Sequence, residues 1–332
     1  MDTIQQLQIG ITIAFQQLGG LTGLMKAFSF LGQEEFFLFA LPVVYWCVDA
    51  STGGRLAVLL VLSNSVNVLL KLAFHLPRPY WVDSRVQALA TETSYGLPSG
   101  HAQNAVSIWF FFAGAFQKHP EQRDSRMAKG AWLAAAAVVL MISLSRIYLG
   151  VHFVTDVIGG WIVGAILLAA FLKFESKAKE WLKTLGTWGQ VGAAFGAALV
   201  VALLGVGVRA TLAGSPDPSA WAGFAAEARN LEAVFSSAGT VFGVGAGLAL
   251  ASRWARFDAG GQPAKRAARF VIGLIGAMIF YLGLRFVFPR EPEAVGMFFR
   301  FVRYALTTWW VIFLAPWVFL KINLADSVNR FA

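Results

Sequence analysis

The chain has 332 residues, of which 57% are hydrophobic and only 14% are charged, and its formal net charge is +9. Soluble domains carry about 25% charged residues, so this composition excludes a disordered chain and a simple soluble enzyme. Apolar runs near the ~20 residues that cross a bilayer recur along the sequence. They predict an all-α fold, a polytopic membrane helical bundle with about nine transmembrane helices.

The first segment, residues 1–32, is apolar but is interrupted by five glutamines: Gln5, Gln6, Gln8, Gln16 and Gln17. This pattern favours an interfacial amphipathic helix over a further membrane span. The segment lacks the basic start of a cleaved signal peptide, so we expect it to remain on the mature protein.

Nine longer apolar segments follow, and each predicts a transmembrane helix. In chain order they cover residues 33–50, 54–76, 100–117, 130–150, 154–173, 188–210, 233–252, 268–289 and 297–320. Residues 33–175 hold every motif described below and form the predicted catalytic core. The additional C-terminal helices within residues 176–332 carry no motif that we can assign. Glu34 and Glu35 open the first span, where they are either solvated at the interface or, for Glu35, within reach of a cation.

Basic residues concentrate in alternate loops, and this orients the predicted helices. The loops after the third, fifth and seventh spans carry Lys118, Arg123, Arg126, Lys129, Lys173, Lys177, Lys179, Lys183, Arg253, Arg256, Lys265, Arg266 and Arg269. Under the positive-inside rule these loops are cytoplasmic, so the net charge reflects topology and not a nucleic-acid surface. The N-terminus is then outside, the C-terminus inside, and the motifs below share the non-cytoplasmic side.

Three short motifs place charged groups and imidazoles in apolar sequence, where each charge is costly. They are Lys71-x6-Arg78-Pro79 after the second span, Pro98-Ser99-Gly100-His101 at the start of the third, and Ser145-Arg146-x5-His152-x3-Asp156 between the fourth and fifth. Lys71, Arg78 and Arg146 can form a positive cage for a phosphate whose oxygens gain charge during transfer. Ser99 and the backbone N–H of Gly100 lie at a helix start, which is a natural anion site.

His152 and Asp156 are four residues apart and share one face of a helix. Asp156 can accept a hydrogen bond from one imidazole nitrogen, which leaves the other nitrogen free to attack phosphorus. His101 can then protonate the leaving alkoxide and later activate water against the phosphohistidine. The cations neutralise the phosphate oxygens, so this scheme calls for no metal and no cofactor. The single cysteine, Cys47, excludes an intrachain disulfide and a cysteine-based metal cluster.

These motifs resemble the three-part signature of the type 2 phosphatidic acid phosphatase superfamily over roughly residues 33–175. The resemblance implies that His152 is the nucleophile, His101 the acid and base, and Asp156 the partner of the nucleophile. It also implies a set of phosphate-binding residues: Lys71, Arg78, Ser99, Gly100 and Arg146. Residues 78–81 look like the glucose-6-phosphatase branch, whereas residues 32–37 and 45–49 resemble bacterial members and sphingosine-1-phosphate phosphatases.

The sequence therefore predicts an integral membrane phosphatase that hydrolyses a phosphate monoester at the outer or periplasmic face. A lipid phosphate is the favoured substrate, because a lipid can enter sideways from the surrounding membrane lipids. The alternatives are a sugar phosphate hydrolase like glucose-6-phosphatase and a phosphotransferase to an alcohol. A non-catalytic transporter is a further alternative, but the complete set of His101, His152 and Asp156 argues against it. A bacterial inner membrane is the favoured location, with an endomembrane as the alternative if the chain is eukaryotic, and the oligomeric state stays open.

Three further residues outside the motifs also have a predicted role. Asn67 in the second span is interpreted as an interhelical hydrogen-bond group. Tyr80 and Trp81 follow the first motif and are interpreted as aromatic-belt residues, although they could instead line a substrate groove.

Overall fold

A computed structural model describes residues 3–117 and 126–328. Its first helices are α1 (Thr3–Gln16), α2 (Thr22–Phe30), α3 (Glu34–Cys47), α4 (Ala50–Phe74), α5 (Pro79–Val82), α6 (Gly100–Gln117), α7 (Arg126–Tyr148) and α8 (Val154–Thr184). The others are α9 (Gly186–Thr211), α10 (Ala222–Ala228), α11 (Glu232–Trp254), α12 (Pro263–Met278), α13 (Leu284–Val287), α14 (Glu293–Trp309) and α15 (Ala315–Lys321). The predicted all-α fold class is confirmed. Lys118 and Arg123 lie outside the described residues.

Within the described ranges, seven helical stretches are long and apolar enough to cross a membrane, or up to eight if the bent pair α2–α3 is one span. The seven coincide with seven predicted spans, and the predicted span 33–50 lies on α3. The predicted span 100–117 forms α6, in which Gln103, Asn104 and Ser107 are buried polar residues. These side chains make α6 less apolar than the other spans, so the predicted count of about nine is approximate.

Residues 3–32 contain two helices, α1 and α2, where the sequence predicted one helix over residues 1–32. Gly19 and Gly20, which separate them, have φ values of 42° and 71°. Glycine adopts this left-handed region at little cost, so the pair ends α1 and turns the chain. The interfacial location of the segment stays a prediction, as do the domain boundaries at residues 32 and 175.

One compact unit consists of Met1–Phe37, Val66–Phe171 and Gly205–Asn230. Within this unit α7 packs against α6, α2 and α1. At Gly160 of α8, an added Cβ would lie 3.0 Å from the Cβ of Ala102 and 3.1 Å from the backbone nitrogen of Gln103 in α6. The missing side chain lets the starts of α6 and α8 approach closely, which brings the second motif next to the end of the third.

The second compact unit consists of Leu38–Ser65, Leu172–Leu204 and Leu231–Ala332, and in it α11 packs along α14. A π-helical segment, 310–314, joins α14 to α15. Its carbonyls accept side-chain hydrogen bonds from α3: Tyr45 Oη donates to Ile312 at 2.8 Å and Trp46 Nε1 donates to Val311 at 2.9 Å. The π segment thereby anchors two large aromatic residues of α3.

The contact between α11 and α14 depends on a glycine. A Cβ at Gly243 would collide with the carbonyl oxygen of Ala305 and with Thr308 Oγ1, whereas a Cβ at Gly196 of α9 would meet nothing within 4 Å. Both glycines are helical, so the same substitution gains helix propensity at both sites and overpacks only one of them.

We expect Gly243→Ala to destabilise the protein by about 1–3 kcal/mol. In detergent this should appear as a melting temperature several degrees below that of the wild type. Gly196→Ala is the matched control and should leave the melting temperature unchanged or slightly raised. Equal melting temperatures for the two variants would contradict the close packing of α11 on α14.

Candidate active site

All eight predicted site residues lie in the first compact unit, and all lie at or beside helix ends. They are Lys71 in the last turn of α4, Arg78 just before α5, Ser99, Gly100 and His101 at the start of α6, Arg146 in the last turn of α7, His152 between α7 and α8, and Asp156 in the first turn of α8. The fold brings the three motifs together, and the chemical roles of the eight residues stay predictions.

A tight turn after α7 positions the third motif. Gly150 has a φ of 75°, a left-handed value that disfavours other residues. A Cβ there would also lie 2.9 Å from a side-chain carbon of Val86. The turn places His152 just before α8, next to Asp156 in the first turn of that helix. Asp156 Oδ2 lies 3.2 Å from His152 Nδ1, and it also accepts a hydrogen bond from the backbone N–H of Phe153 at 3.0 Å. The predicted pairing of His152 with Asp156 is therefore present in the fold.

The contacts of His152 define its tautomer. Arg78 Nη1 lies 3.2 Å from His152 Nε2, and a guanidinium nitrogen can only donate, so Nε2 is the acceptor. The ring proton then resides on Nδ1 and points to Asp156. Burial lowers the pKa of His152 well below its ordinary value, and the charges of Arg78 and Lys71 lower it further. His152 is thus a neutral imidazole with its lone pair on Nε2, the form that a nucleophile requires.

Arg78 is fully buried and is fixed by main-chain carbonyls. Its Nε donates to the carbonyl of Ser94 at 2.6 Å, its Nη1 to that of Val151 at 2.8 Å and its Nη2 to that of Tyr95 at 3.1 Å. Lys71 Nζ donates to the same carbonyl of Tyr95 at 2.8 Å. Ser94 Oγ accepts from both cations, at 3.0 Å from Lys71 Nζ and at 3.0 Å from Arg78 Nη2. Sequence reasoning missed Ser94, because a serine in an irregular loop carries no pattern.

Arg146 is held by side chains instead of by carbonyls. Its Nη1 donates to Ser29 Oγ of α2 at 2.5 Å, and its Nη2 pairs with Glu92 Oε1. Glu92 Oε2 also lies 3.6 Å from Arg78 Nη2. Burial acts to raise the pKa of Glu92, but Arg78 and Arg146 outweigh that effect and hold it well below its usual range. Neither Ser29 nor Glu92 was predicted.

Three buried polar atoms of the motifs have no hydrogen-bond partner among the residues that the structure describes. They are Ser99 Oγ, His101 Nε2 and Arg146 Nε. Buried polar atoms are rarely left unpaired, and such an atom requires an explanation such as a ligand site. An anion with several oxygens could accept from all three.

The start of α6 is fixed from two sides. The backbone N–H of Ser99 donates to the carbonyl of Asp156 at 2.9 Å. Asn67 Nδ2 of α4 donates to Gln103 Oε1 at 2.8 Å, which confirms Asn67 as an interhelical hydrogen-bond group. A Cβ at Gly100 would lie 3.0 Å from Asn67 Oδ1, so any residue other than glycine would require the Asn67 side chain to shift slightly.

The loop between the first two motifs also contacts residues beyond the predicted core. Tyr95 Oη donates to Asp217 at 3.2 Å and accepts from Arg229 Nε at 3.2 Å. Trp81 stacks on Phe224 of α10, with ring centroids 5.5 Å apart and planes 6° apart. Since Trp81 is only 4% exposed, its interpretation as an aromatic-belt residue is wrong. It is a packed contact of α5 with α10.

Comparison with known proteins matches two family models. The model described as the PAP2 superfamily matches residues 52–180, and that described as the PAP2 superfamily phosphatase transmembrane extension matches residues 235–327. The first range contains all eight predicted site residues.

Three curated proteins are similar to parts of this chain. Phosphatidylglycerophosphatase B of Bacillus subtilis is 37% identical over 92 residues, or 28% of this chain and 45% of the relative. A probable sphingosine-1-phosphate phosphatase of Dictyostelium discoideum is 34% identical over 154 residues, or 44% of this chain and 36% of the relative. Glucose-6-phosphatase catalytic subunit 1 of Haplochromis nubilus is 24% identical over 187 residues, or 50% and 53%. The chain thus spans between about a third and about half of the length of these relatives.

The double contact of Ser94 Oγ with Lys71 and Arg78 generates a stability prediction. Hydrogen bonds to charged groups contribute about 1.5–3 kcal/mol, so Ser94→Ala should lower the melting temperature by roughly 5 °C. Ser94→Thr keeps the hydroxyl and should recover most of the loss. Ser84→Ala, an exposed serine of the same loop, is the control and should melt like the wild type. A Ser94→Ala protein as stable as the control would rule out this role.

Proposed function

This chain belongs to the PAP2 superfamily, and we propose that it hydrolyses a phosphate monoester at the site that its three motifs form. The observation that carries the proposal is that three buried polar atoms of the motifs, Ser99 Oγ, His101 Nε2 and Arg146 Nε, have no partner among the described residues and belong to the same site as three buried cations. A phosphate group has the charge and the number of acceptor oxygens to satisfy both the atoms and the cations.

In the first proposed step, the Nε2 lone pair of His152 attacks phosphorus. The phosphorus–ester oxygen bond breaks, its electron pair goes to the ester oxygen, and His101 supplies the proton that releases an alcohol. Asp156 accepts a hydrogen bond from Nδ1–H of His152 and stabilises the positive charge that develops on the ring. Arg78, which already lies beside Nε2, is close enough to donate to an equatorial phosphate oxygen.

In the second proposed step, His101 removes a proton from water, and the water oxygen attacks the phosphohistidine. The phosphorus–nitrogen bond breaks, its electron pair returns to His152 Nε2, and inorganic phosphate leaves. Lys71, Arg78 and Arg146 stabilise the charge on the transferred group in both steps. We propose that the chain's own cations do this work, so that the reaction is independent of metal.

We propose a lipid phosphate as the substrate. Two of the three relatives described above are named for lipid phosphates, and the chain has helices long and apolar enough to cross a membrane, where a lipid substrate would reside. The glucose-6-phosphatase relative favours a sugar phosphate as the second candidate. In both candidates the phosphate group would bind Lys71, Arg78 and Arg146. The candidates differ in the alcohol that leaves, which is a lipid in one case and a sugar in the other.

A phosphate-release assay on the purified chain tests the reaction. We expect release from phosphatidate or sphingosine 1-phosphate, unaffected by a chelator, and a fall of more than roughly a thousandfold in kcat for His152→Ala. Quenching with denaturant at alkaline pH, where a phosphohistidine is stable, during turnover of a substrate labelled on its phosphate should trap label on the wild type and not on the variant. His75→Asn is the control, because His75 occupies a variable position of the first motif, is not one of the predicted site residues, and has a φ of 39°, which asparagine tolerates. Full activity of His152→Ala would contradict the mechanism, and turnover of glucose 6-phosphate alone would contradict the lipid preference.

We also propose that the site lies on the non-cytoplasmic face. Helix α7 begins with Arg126 and Lys129 and ends at Arg146 of the site. At 1.5 Å per residue these ends are about 30 Å apart, the thickness of the hydrocarbon core. Basic residues that flank a membrane span favour the cytoplasmic side, so the start of α7 with Arg126 and Lys129 is assigned to the cytoplasm. Arg146, in the last turn of the helix, is then on the opposite side.

Labelling in intact bacteria tests this orientation. In a Cys47→Ser background, Ser84→Cys in the exposed loop after α5 should react with a membrane-impermeant thiol reagent in whole cells. Ser176→Cys, exposed near the basic end of α8, should react only after the cells are permeabilised. The reverse pattern would overturn the proposed orientation.

A further inference from the structure

Glu92 places a carboxylate among the cations of the site. One of its oxygens pairs with Arg146 and the other lies 3.6 Å from Arg78 Nη2. The two arginine side chains are 1% and 0% exposed, whereas the Glu92 side chain is 24% exposed. The carboxylate therefore spans two buried guanidinium groups and retains a path to solvent.

A carboxylate and a phosphate make the same kind of contact with arginine, because both present oxygens that accept paired N–H bonds. Arg78 and Arg146 are also cations that the proposed reaction assigns to phosphate. Two anions in one cage repel each other, and the low local dielectric strengthens that repulsion. Glu92 and a bound phosphate thus compete for the two arginines.

The backbone around Glu92 is fixed, so a change in its contacts requires only side-chain rotation. Tyr80 Oη donates to the carbonyl of Glu92 at 2.9 Å. Two residues further along, Ser94 is bonded to Lys71 and Arg78. The Glu92 carboxylate is at the end of a flexible and partly exposed side chain. Rotation of this side chain toward solvent would release both arginines without moving the loop.

From this arrangement we infer that Glu92 is an internal anion that occupies the arginines of the empty site and is displaced by the phosphate of the substrate. This inference rests on the proposed function, since it assumes that phosphate binds in the cage. In the empty site the carboxylate stabilises two buried charges that would otherwise be costly. After hydrolysis the returning carboxylate competes with inorganic phosphate and favours its release. The low pKa of Glu92 agrees with an ionised carboxylate at neutral pH.

Binding of inorganic phosphate to the purified full chain tests the inference without requiring turnover. Glu92→Gln should bind phosphate about tenfold more tightly than the wild type, because the competing charge is gone. It should melt at a lower temperature in phosphate-free buffer and recover as phosphate is added. Glu92→Asp keeps the charge on a shorter side chain and should give intermediate affinity, so the test does not depend on one variant.

Asp83→Asn is the matched control. Asp83 lies in the same loop but pairs with the exposed Arg85 instead of with a cation of the cage. This variant should match the wild type in phosphate affinity. Unchanged or weaker phosphate binding by both Glu92 variants would overturn the inference, and weaker binding would indicate that Glu92 only orients Arg146.

The outcomes separate this inference from the proposed function. If the wild type hydrolyses phosphate esters but Glu92→Gln gains no phosphate affinity, the displacement of Glu92 is wrong and the phosphatase assignment stands. If the gain in affinity appears but the wild type hydrolyses no phosphate ester, the displacement stands and the phosphatase assignment fails.

Discussion

A cation removed from water must find acceptors or anions in the protein, and the first compact unit buries three such cations, Lys71, Arg78 and Arg146. The helices cannot satisfy them, because helical carbonyls are already engaged in the helix. Apart from Ser29 Oγ of α2, the acceptors come from irregular segments that lie beside the helix ends: the loop at residues 83–99 and the turn at residues 149–153. The need to satisfy these cations therefore determines the conformation of the chain between the motifs.

The acceptors divide the site into a fixed part and an exchangeable part. Lys71 and Arg78 are bonded to backbone carbonyls, which cannot rotate away without moving the chain. Arg146 is bonded only to side chains in the described structure, those of Ser29 and Glu92, and its Nε has no partner there. A ligand can thus replace contacts of Arg146 at little structural cost. In the reaction we propose, the fixed part positions the phosphate relative to His152, and the exchangeable part accepts the incoming charge.

Sequence alone predicted the elements whose spacing is local. The four-residue spacing predicted that His152 and Asp156 pair, but the prediction that both lie on one helix was wrong, because His152 belongs to the turn before α8 and only Asp156 is helical. Long apolar runs predicted the helices. Glu92, Ser94 and Ser29 could not be predicted, because they are common residue types in positions without periodicity and their partners are at least 14 residues away in sequence. Trp81 was misinterpreted for a related reason. A tryptophan near a helix end suits a membrane interface, and only the fold reveals α10 packed against it.

Tyr95 connects the predicted catalytic core to residues of the segment 205–230, which lies beyond that core in the sequence. Its carbonyl accepts from Lys71 and Arg78, and its hydroxyl bonds to Asp217 and Arg229. The segment 205–230, which carries no recognised motif, is therefore one residue away from the phosphate cage within the same compact unit. A change in that segment can shift the carbonyl of Tyr95, and with it both cations, while every motif stays intact. In the function we propose, substrate preference therefore depends on this segment as well as on the three motifs, because Tyr95 connects it to Lys71 and Arg78.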